Sequence, residues 1–457
     1  MAPTTSAGDP ADDVVVAEPA APGPAGRSAT RSASPTTPSE RAWVMWGVAV
    51  GAYFVAVFHR TSLGVASLDA ERRFHVGPSL LATFVAAQLA LYAALQIPTG
   101  AMADRFGPRR MLTAALAFLA AGEIVLAWGG GVPAALTGRA LLGVGDGLTF
   151  INVLRLVQNW FPASRYGMLT SLTALTGAVG QLVSTFPLRF ALSHAGWEST
   201  FTTSAVVTAV VALVIASFLR DHPDAGSARL PLHERPTLLR TVAHAMQTPG
   251  TWRGTWAHFA LTGPFVVFTA LWGYPFLVRS QHFSGQTASV LLALVVVTAA
   301  CSAPLVGLLV VRAPRWRAGA VTVCGLALVG AWTAALGWGA GRVPGVLLAS
   351  IVITTGLGAS VSVIAFDIAR EANPPERGGT ATGVANIGGF VCAVAGDLVV
   401  GWLLDAFGHG GQGAAGYRVA MAVLPVTAGL GLLLFWRQGR RVRALHYPKS
   451  IPAHRTV

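Results

Sequence analysis

Between Ala42 and Trp436 the chain is a succession of apolar runs, each about 20 residues or longer, broken by short polar connections. A helix of about 20 residues crosses the hydrocarbon core of a bilayer. In lipid every backbone donor and acceptor must be satisfied within the protein, so serial runs of this length dictate a bundle of helices. Twelve runs can be delimited: 42–66, 78–101, 110–129, 132–156, 166–190, 198–219, 255–279, 286–311, 318–339, 343–368, 379–404 and 417–436. Only 11% of the residues are charged, against about 25% in soluble domains. The fold class expected is an all-α polytopic membrane protein with twelve transmembrane helices in two six-helix halves.

The domain plan follows from the polar segments. Residues 1–41 form an expected disordered tail, because 1–40 contain no Leu, Ile, Phe, Trp or Tyr and cannot build a core. An N-terminal half (42–219), a Pro-rich central loop (220–254), a C-terminal half (255–436) and a tail (437–457) follow. No basic stretch precedes a short apolar one, so no cleavable signal peptide is expected, and the first span itself serves as the targeting signal. With both termini placed in the cytoplasm, 24 basic residues fall on cytoplasmic segments and six outside. That asymmetry orients the chain in a cytoplasmic membrane. It also accounts for the net charge of +13 without nucleic acid, with anionic inner-leaflet lipid as the neighbour. Cys301, Cys324 and Cys392 are widely spaced within apolar segments and read as buried free thiols with no metal-ligand pattern.

Two charges lie inside span four, in "RALLGVGDG": Arg139 and Asp146. Each costs about 2.5–3.5 kcal/mol at a helix centre. Seven residues are almost two turns, so the two share one face, about 10 Å apart along the axis. Each therefore needs another partner: a second helix, water or a solute. The corresponding positions of span ten hold Val352 and Ala359, which argues for function over scaffold. Span one carries "FHRTSLGVA", with His59 and Arg60 expected near its outer part. A guanidinium binds carboxylate or phosphate bidentately, and imidazole titrates near neutral pH. The two halves repeat weakly: Gly100 pairs with Gly307, Gly143 with Gly356, Gly145 with Gly358 and Pro162 with Pro375. Such a repeat implies two halves related by an axis along the membrane normal.

After span two comes "GAMADRFGPRR". Gly100 is expected to allow close helix approach, Asp104 to cap or bridge a helix end, and Arg105, Arg109 and Arg110 to anchor the turn. The stretch resembles the loop between helices two and three of the major facilitator superfamily, with Gly107 in place and Pro108 inserted before the Arg pair. The resemblance covers residues 42–436. It implies that Asp104 locks the outward-facing state by pairing across the halves, with Gly100, Arg105, Gly107, Arg109 and Arg110 in the same conformational gate. The first half further resembles the anion:cation symporter branch of that superfamily. Arg60, Leu63 and Ala66, then Tyr92, Gln96, Pro98 and Gly100, then Arg139, Asp146 and "WFP" at 160–162 carry that likeness. It implies that Arg60 holds a substrate anion and that Asp146 is a proton-linked acid. The chain departs from the branch where His59 replaces the helix-one acid and Asp146 replaces a Glu.

In the second half, "LWGYPFL" (271–277) joins a helix-breaking Gly and Pro to Trp272 and Tyr274, a gate hinge or a kinked helix. Asn386 and His258 are candidate cavity residues; Glu123 and Asp397 are intramembrane acids without assigned roles. The expected substrate-binding set is Arg60, Arg139, Tyr92, Trp272 and Asn386, with Asp146 and His59 coupling protons. The function expected is secondary active transport of a small organic anion by a monomer, with proton symport and alternating access. A drug or peptide exporter and a transporter-like sensor without flux are the alternatives. Span five lacks the Gly-Pro pattern of proton-driven drug antiporters. No enzyme motif, metal cluster or cofactor site is read from the loops.

Overall fold

Residues 39–223, 238–339, 342–374, 377–407 and 413–446 are described by the computed structural model. The expected disordered tail up to residue 38, the central loop at 224–237 and the tail beyond 446 lie outside the described residues. Among the described residues twelve spans are present. Eleven apolar helices long enough to cross a bilayer are seen, and one of them, Tyr166–Phe218, holds two spans. They are divided at Gly196, whose φ of 75° and ψ of 179° are non-helical. Positive φ is open to glycine at little cost, so the chain turns there between 166–195 and 197–218.

Several spans outrun their apolar cores. Span one is a single helix, Glu40–Phe74. It continues past the apolar run through Asp69, Arg72 and Arg73, charges that a helix end reaching the interface can keep solvated, and through Glu71, which is buried. Arg60 therefore lies near the middle of span one, not in its outer part as the apolar limits implied. Span seven begins at Pro249, inside the expected central loop. That loop also contains a helix, Leu238–Gln247, whose Ala245 packs with Ala369, Ala381 and Ala385. The last span runs on as helix to His446. Span seven is π-helical over Phe268–Trp272 and Phe276–Ser280, on either side of Gly273–Pro275. Widened turns of this kind are rare and concentrate at functional sites.

The internal repeat is visible in the packing. A Cβ on Gly143 would stand 2.6 Å from the Gln88 carbonyl of span two, and one on Gly356 would stand 2.5 Å from the Val295 carbonyl of span eight. Gly145 meets Leu119 of span three, and Gly358 meets Leu328 of span nine. The glycines of "GVGDG" thus seat span four against two neighbours at backbone distance; in span ten Gly356 does the same, while Gly358 makes only ordinary contact, 3.4 Å from the Leu261 carbonyl and from Leu328. Gly100 and Gly307 do not act this way: a Cβ at either would meet nothing within 4 Å. The expected close approach at Gly100 is corrected; in the conformation seen, the halves meet at the other end of the bundle.

That other end, which carries the turns at 75–77, 196 and 281–284, is called the loop face here, and the opposite end the terminal face. On the loop face Glu71 of span one pairs with Arg279 of span seven. Ser79 N donates to Asp405 Oδ2 at 2.9 Å, joining span two to span eleven. Deeper, Gln181 Nε2 donates to Thr269 Oγ1 at 3.1 Å. The backbones of spans one and seven also touch, since a Cβ on Gly64 would lie 2.8 Å from the Thr269 carbonyl.

The loop "GAMADRFGPRR" folds onto its own half. Gly107, with φ of 82°, separates span two (Pro78–Phe106) from span three (Pro108–Trp128). Asp221, just beyond span six, accepts from Arg109 N at 2.7 Å, while Arg109 Nε donates to the Ala216 carbonyl at 3.1 Å. Asp221 thus caps span three, a partner that sequence did not name. The Asp104 side chain, and with it the expected lock, lies outside the described residues. Asp221→Ala is expected to cost about 1 kcal/mol, the usual worth of a side-chain cap. A drop of a few degrees in the Tm of detergent-purified protein would show it; an unchanged Tm would mean that span three needs no cap.

Candidate functional site

The two charges of span four are resolved by span one. Arg60 donates from Nε to Asp146 Oδ2 and from Nη2 to Asp146 Oδ1, both at 2.7 Å. This is the two-pronged arginine–carboxylate geometry, with distances at the short end for charge-assisted bonds. Asp146 is fully buried and the Arg60 side chain is 13% exposed. Arg60 does not snorkel to the headgroups. Directly after Asp146 the helix is interrupted: one helix ends at Gly147 and the next begins at Thr149. Thr149 Oγ1 donates to the Asp146 carbonyl at 2.8 Å, and Thr99 Oγ1 donates to the Gly147 carbonyl at 3.2 Å. Hydroxyls of spans two and four therefore satisfy carbonyls at the break.

Aromatic rings surround the guanidinium. Its Cζ lies 4.3 Å from the centroid of Tyr92, on span two, and 5.8 Å from that of Phe390, on span eleven. The Tyr92 and Phe390 rings are 4.5 Å apart, across the seam between the halves. Tyr53, almost two turns earlier on span one, and Asn386, on span eleven, complete the surround: Tyr53 faces Arg60 and Asn386 faces the Tyr92 hydroxyl. A cation against aromatic faces gains about 0.5–2 kcal/mol, more when desolvated. Both halves thus contribute to one site around one positive group.

Arg139 is elsewhere. It shares a face with Asp146, as the spacing required, and both touch span one. Arg139 is wholly buried, however, and donates from Nη1 to Gln88 Oε1 at 2.8 Å and, more weakly, to the His59 carbonyl at 3.5 Å. In this conformation it stands apart from the Arg60 surround, enclosed by Gln88 and the span-one backbone. Trp272 also stands apart from the Arg60 surround. It is fully buried, and its Nε1 donates to the Asp397 carbonyl at 3.2 Å, which fastens span seven to span eleven. His258 is also a fastening, its Nδ1 accepting from Gly389 N at 3.1 Å.

His59 is the next residue to Arg60 but faces away from the Tyr92 surround. Its Nδ1 is 2.8 Å from Glu123 Oε1 of span three, and its Nε2 is 2.8 Å from Thr208 Oγ1 of span six. Sequence registered Glu123 as an intramembrane acid but not its partner. Tyr53, Gln88 and Phe390 were missed, because a neutral side chain in an apolar span carries no signal of its own. Asp397 is buried with neither carboxyl oxygen hydrogen-bonded among the described residues. Cys324 and Cys392 are buried, but Cys301 is exposed on the bundle surface, against the expectation for all three.

Comparison with known proteins adds the following. The family model described as Major Facilitator Superfamily matches residues 49–396. A candidate sulfoacetate transporter of Cupriavidus necator is 28% identical over 181 residues, which is 40% of this chain and 42% of that protein. The match therefore spans less than half of that relative's length. A candidate tartrate transporter of Agrobacterium vitis is 24% identical over 416 residues, covering 84% of this chain and 87% of that one. Among solved structures, a bacterial homologue of the human lysosomal transporter Spinster, inward-facing and unoccupied, superposes with a TM-score of 0.71 at 15% identity. That superposition covers 88% of this chain and 98% of the other. At that identity it speaks for the fold alone.

Proposed function

Because the chain belongs to the Major Facilitator Superfamily, and so is a multi-pass membrane transporter, we propose that it moves a small organic anion together with protons. The observation that carries this reading is the bidentate Arg60–Asp146 pair at the seam of the halves. Asp146 occupies the two donors that a substrate carboxylate or sulfonate would use. Protonating Asp146 removes the competing charge and releases the fork to the solute. Anion and proton then help each other bind, and the help is reciprocal by linkage. Tyr92 and Asn386 are placed to shape the anion site, one by stacking on the guanidinium, the other from the opposite half. The relatives named for tartrate and sulfoacetate, both anions, support the substrate class.

With both termini in the cytoplasm, the loop face is the external one. The Glu71–Arg279 pair and the Ser79–Asp405 bond then close the outside, and the conformation is the one that exchanges with the cytoplasm. The whole site lies within one chain, so a monomer suffices for transport. The test is uptake of radiolabelled tartrate, sulfoacetate and glucuronate into proteoliposomes under an inward proton gradient. Asp146→Asn is expected to keep anion exchange across the membrane but to lose stimulation by the gradient. Stimulation equal to that of the parent would overturn the role given to Asp146. Gradient-driven loss of a preloaded dye, with no anion uptake, would favour the exporter reading.

A further inference from the structure

A cavity of about 410 Å³ opens on the terminal face, between the start of span seven and the end of span twelve. Its size is that of a small-molecule site, about 300–1,000 Å³. Met246, Trp252 and Trp256 line it on one side, Gln438 and Arg441 on the other. Residues three or four apart share a helix face. That spacing sets Trp252 over Trp256, with ring centroids 6.2 Å apart, and Gln438 beside Arg441. Trp252 Nε1 donates to the Met246 carbonyl at 2.6 Å, which fixes one indole in place. The helical run of span twelve to His446, well past its apolar part, supplies the second wall.

The surroundings call for an anion. Residues 238–256 and 437–443 hold six arginines and no Asp or Glu. The acids at the adjoining end of span ten, Asp367 and Glu371, are taken by Arg370 and Arg317. Next to the cavity, like charges crowd one point of span twelve. The Arg253 guanidinium lies 4.7 Å from the Phe435 ring and against Gly439, where a Cβ would stand 3.1 Å from its Nε. Arg443 Nε donates to the Gly439 carbonyl at 3.4 Å. Arg253 Nε is buried without a hydrogen-bond partner among the described residues, and so is Gln438 Oε1. Turned over, the Gln438 amide presents its N–H groups to the same space. Cations gathered without acids repel one another, and an anion seated beside them offsets the repulsion.

We propose that this cavity holds the headgroup of an anionic phospholipid. Two oxygens of a phosphodiester match the fork of the Arg441 guanidinium. The indoles of Trp252 and Trp256 stand at headgroup level, where tryptophan is enriched. Leu430 lies eleven residues before Arg441, about three turns, and so on the same helix face. It is 46% exposed, and gives an acyl chain an apolar path down span twelve from the cavity. With the termini in the cytoplasm the lipid belongs to the inner leaflet, where anionic lipids reside. A soluble phosphate would use the same donors but neither the indoles nor Leu430. The bound lipid ties the first turns of span seven to the last turns of span twelve.

A ligand that binds only the folded state stabilises it. The experiment is thermal unfolding of the full chain, purified in detergent and freed of lipid. Dioleoylphosphatidylglycerol, dioleoylphosphatidylcholine or inorganic phosphate is added at equal concentration. Phosphatidylglycerol is expected to raise the Tm by a few degrees, and the other two to leave it unchanged. Native mass spectrometry of the same samples should show one phosphatidylglycerol retained per chain. Arg441→Gln should weaken that retention about tenfold, the usual worth of one charge-assisted contact. Gln438→Leu, which leaves the net charge alone, should weaken it as well. Arg315→Gln removes an exposed charge outside the cavity and should change nothing. Equal stabilisation by phosphatidylcholine would overturn the proposal. So would an equal effect of inorganic phosphate, which would make this a site for soluble anions. Equal loss in Arg441→Gln and Arg315→Gln would mean that the lipid answers to net charge alone, and would overturn it too. None of these readouts involves transport, so failure here and failure of the anion reading are separate results.

Discussion

Arg60→Lys is expected to reduce anion uptake about ten- to a hundredfold, seen chiefly as a raised KM for whichever labelled anion the parent transports. The estimate comes from geometry. Arg60 presents two parallel donors, and Asp146 already shows that a carboxylate fits them, at 2.7 Å on each prong. Lysine keeps the charge but offers a point donor in place of a fork. One charge-assisted hydrogen bond is lost, worth about 1.5–3 kcal/mol, and each 1.4 kcal/mol is about tenfold in affinity. Lysine also lacks the flat face that stacks on Tyr92 at 4.3 Å. The fold should survive, because an ammonium can still pair with Asp146. Arg60→Ala is the harsher variant: it leaves Asp146 buried without its partner, and breaking such a pair costs about 3–5 kcal/mol of stability. Parental KM in a well-folded Arg60→Lys protein would remove Arg60 from the substrate site.

What sequence made legible, and what it did not, follows from the range of the forces involved. The twelve spans were readable because solvation by lipid is a property of each segment by itself. The limits of span one were not, because the helix continues through Asp69 to Arg73, where backbone hydrogen bonding persists after the apolar run stops. The shared face of Arg139 and Asp146 followed from helical periodicity alone. Their separate fates did not: which reaches Arg60 and which reaches Gln88 depends on how spans one, two and four are rotated and staggered, and Gly143 and Gly145 fix that by contact with Gln88 and Ala115. Glu123 stood out as an acid in an apolar run, while its partner His59 lies 64 positions earlier with no local pattern to join them. The Glu71–Arg279 and Ser79–Asp405 contacts were invisible for the same reason, and they also exist only while the halves are closed on that face.

Contacts of that kind allow one conformation to be penalised and the other spared. Gly64→Val is expected to stop transport by preventing closure of the loop face. A side chain there would drive its Cβ to 2.8 Å from the Thr269 carbonyl and 3.2 Å from the Ala270 carbonyl, and backbone atoms in the middle of a helix cannot step aside. Gly401→Leu acts at a second point of the same seam, where a Cβ would lie 2.8 Å from the Pro78 carbonyl and from Ala82 Cβ. Overpacking costs about 1–3 kcal/mol, which shifts a two-state population by about ten- to a hundredfold. Both glycines contact the opposite half, so the penalty falls on the closed state and is relieved when the halves part on that face. Flux needs both states, so transport should fall in each variant while Tm changes little. Gly330→Ala is the control, because nothing lies within 4 Å of its Cβ direction. Electron–electron distances between spin labels on His75 and Gly413, at the loop-face ends of spans one and twelve, should lengthen in Gly64→Val and Gly401→Leu and stay unchanged in Gly330→Ala. If the distances in Gly64→Val match those of the parent while transport is lost, closure does not run through this contact and the glycine serves the resting fold instead.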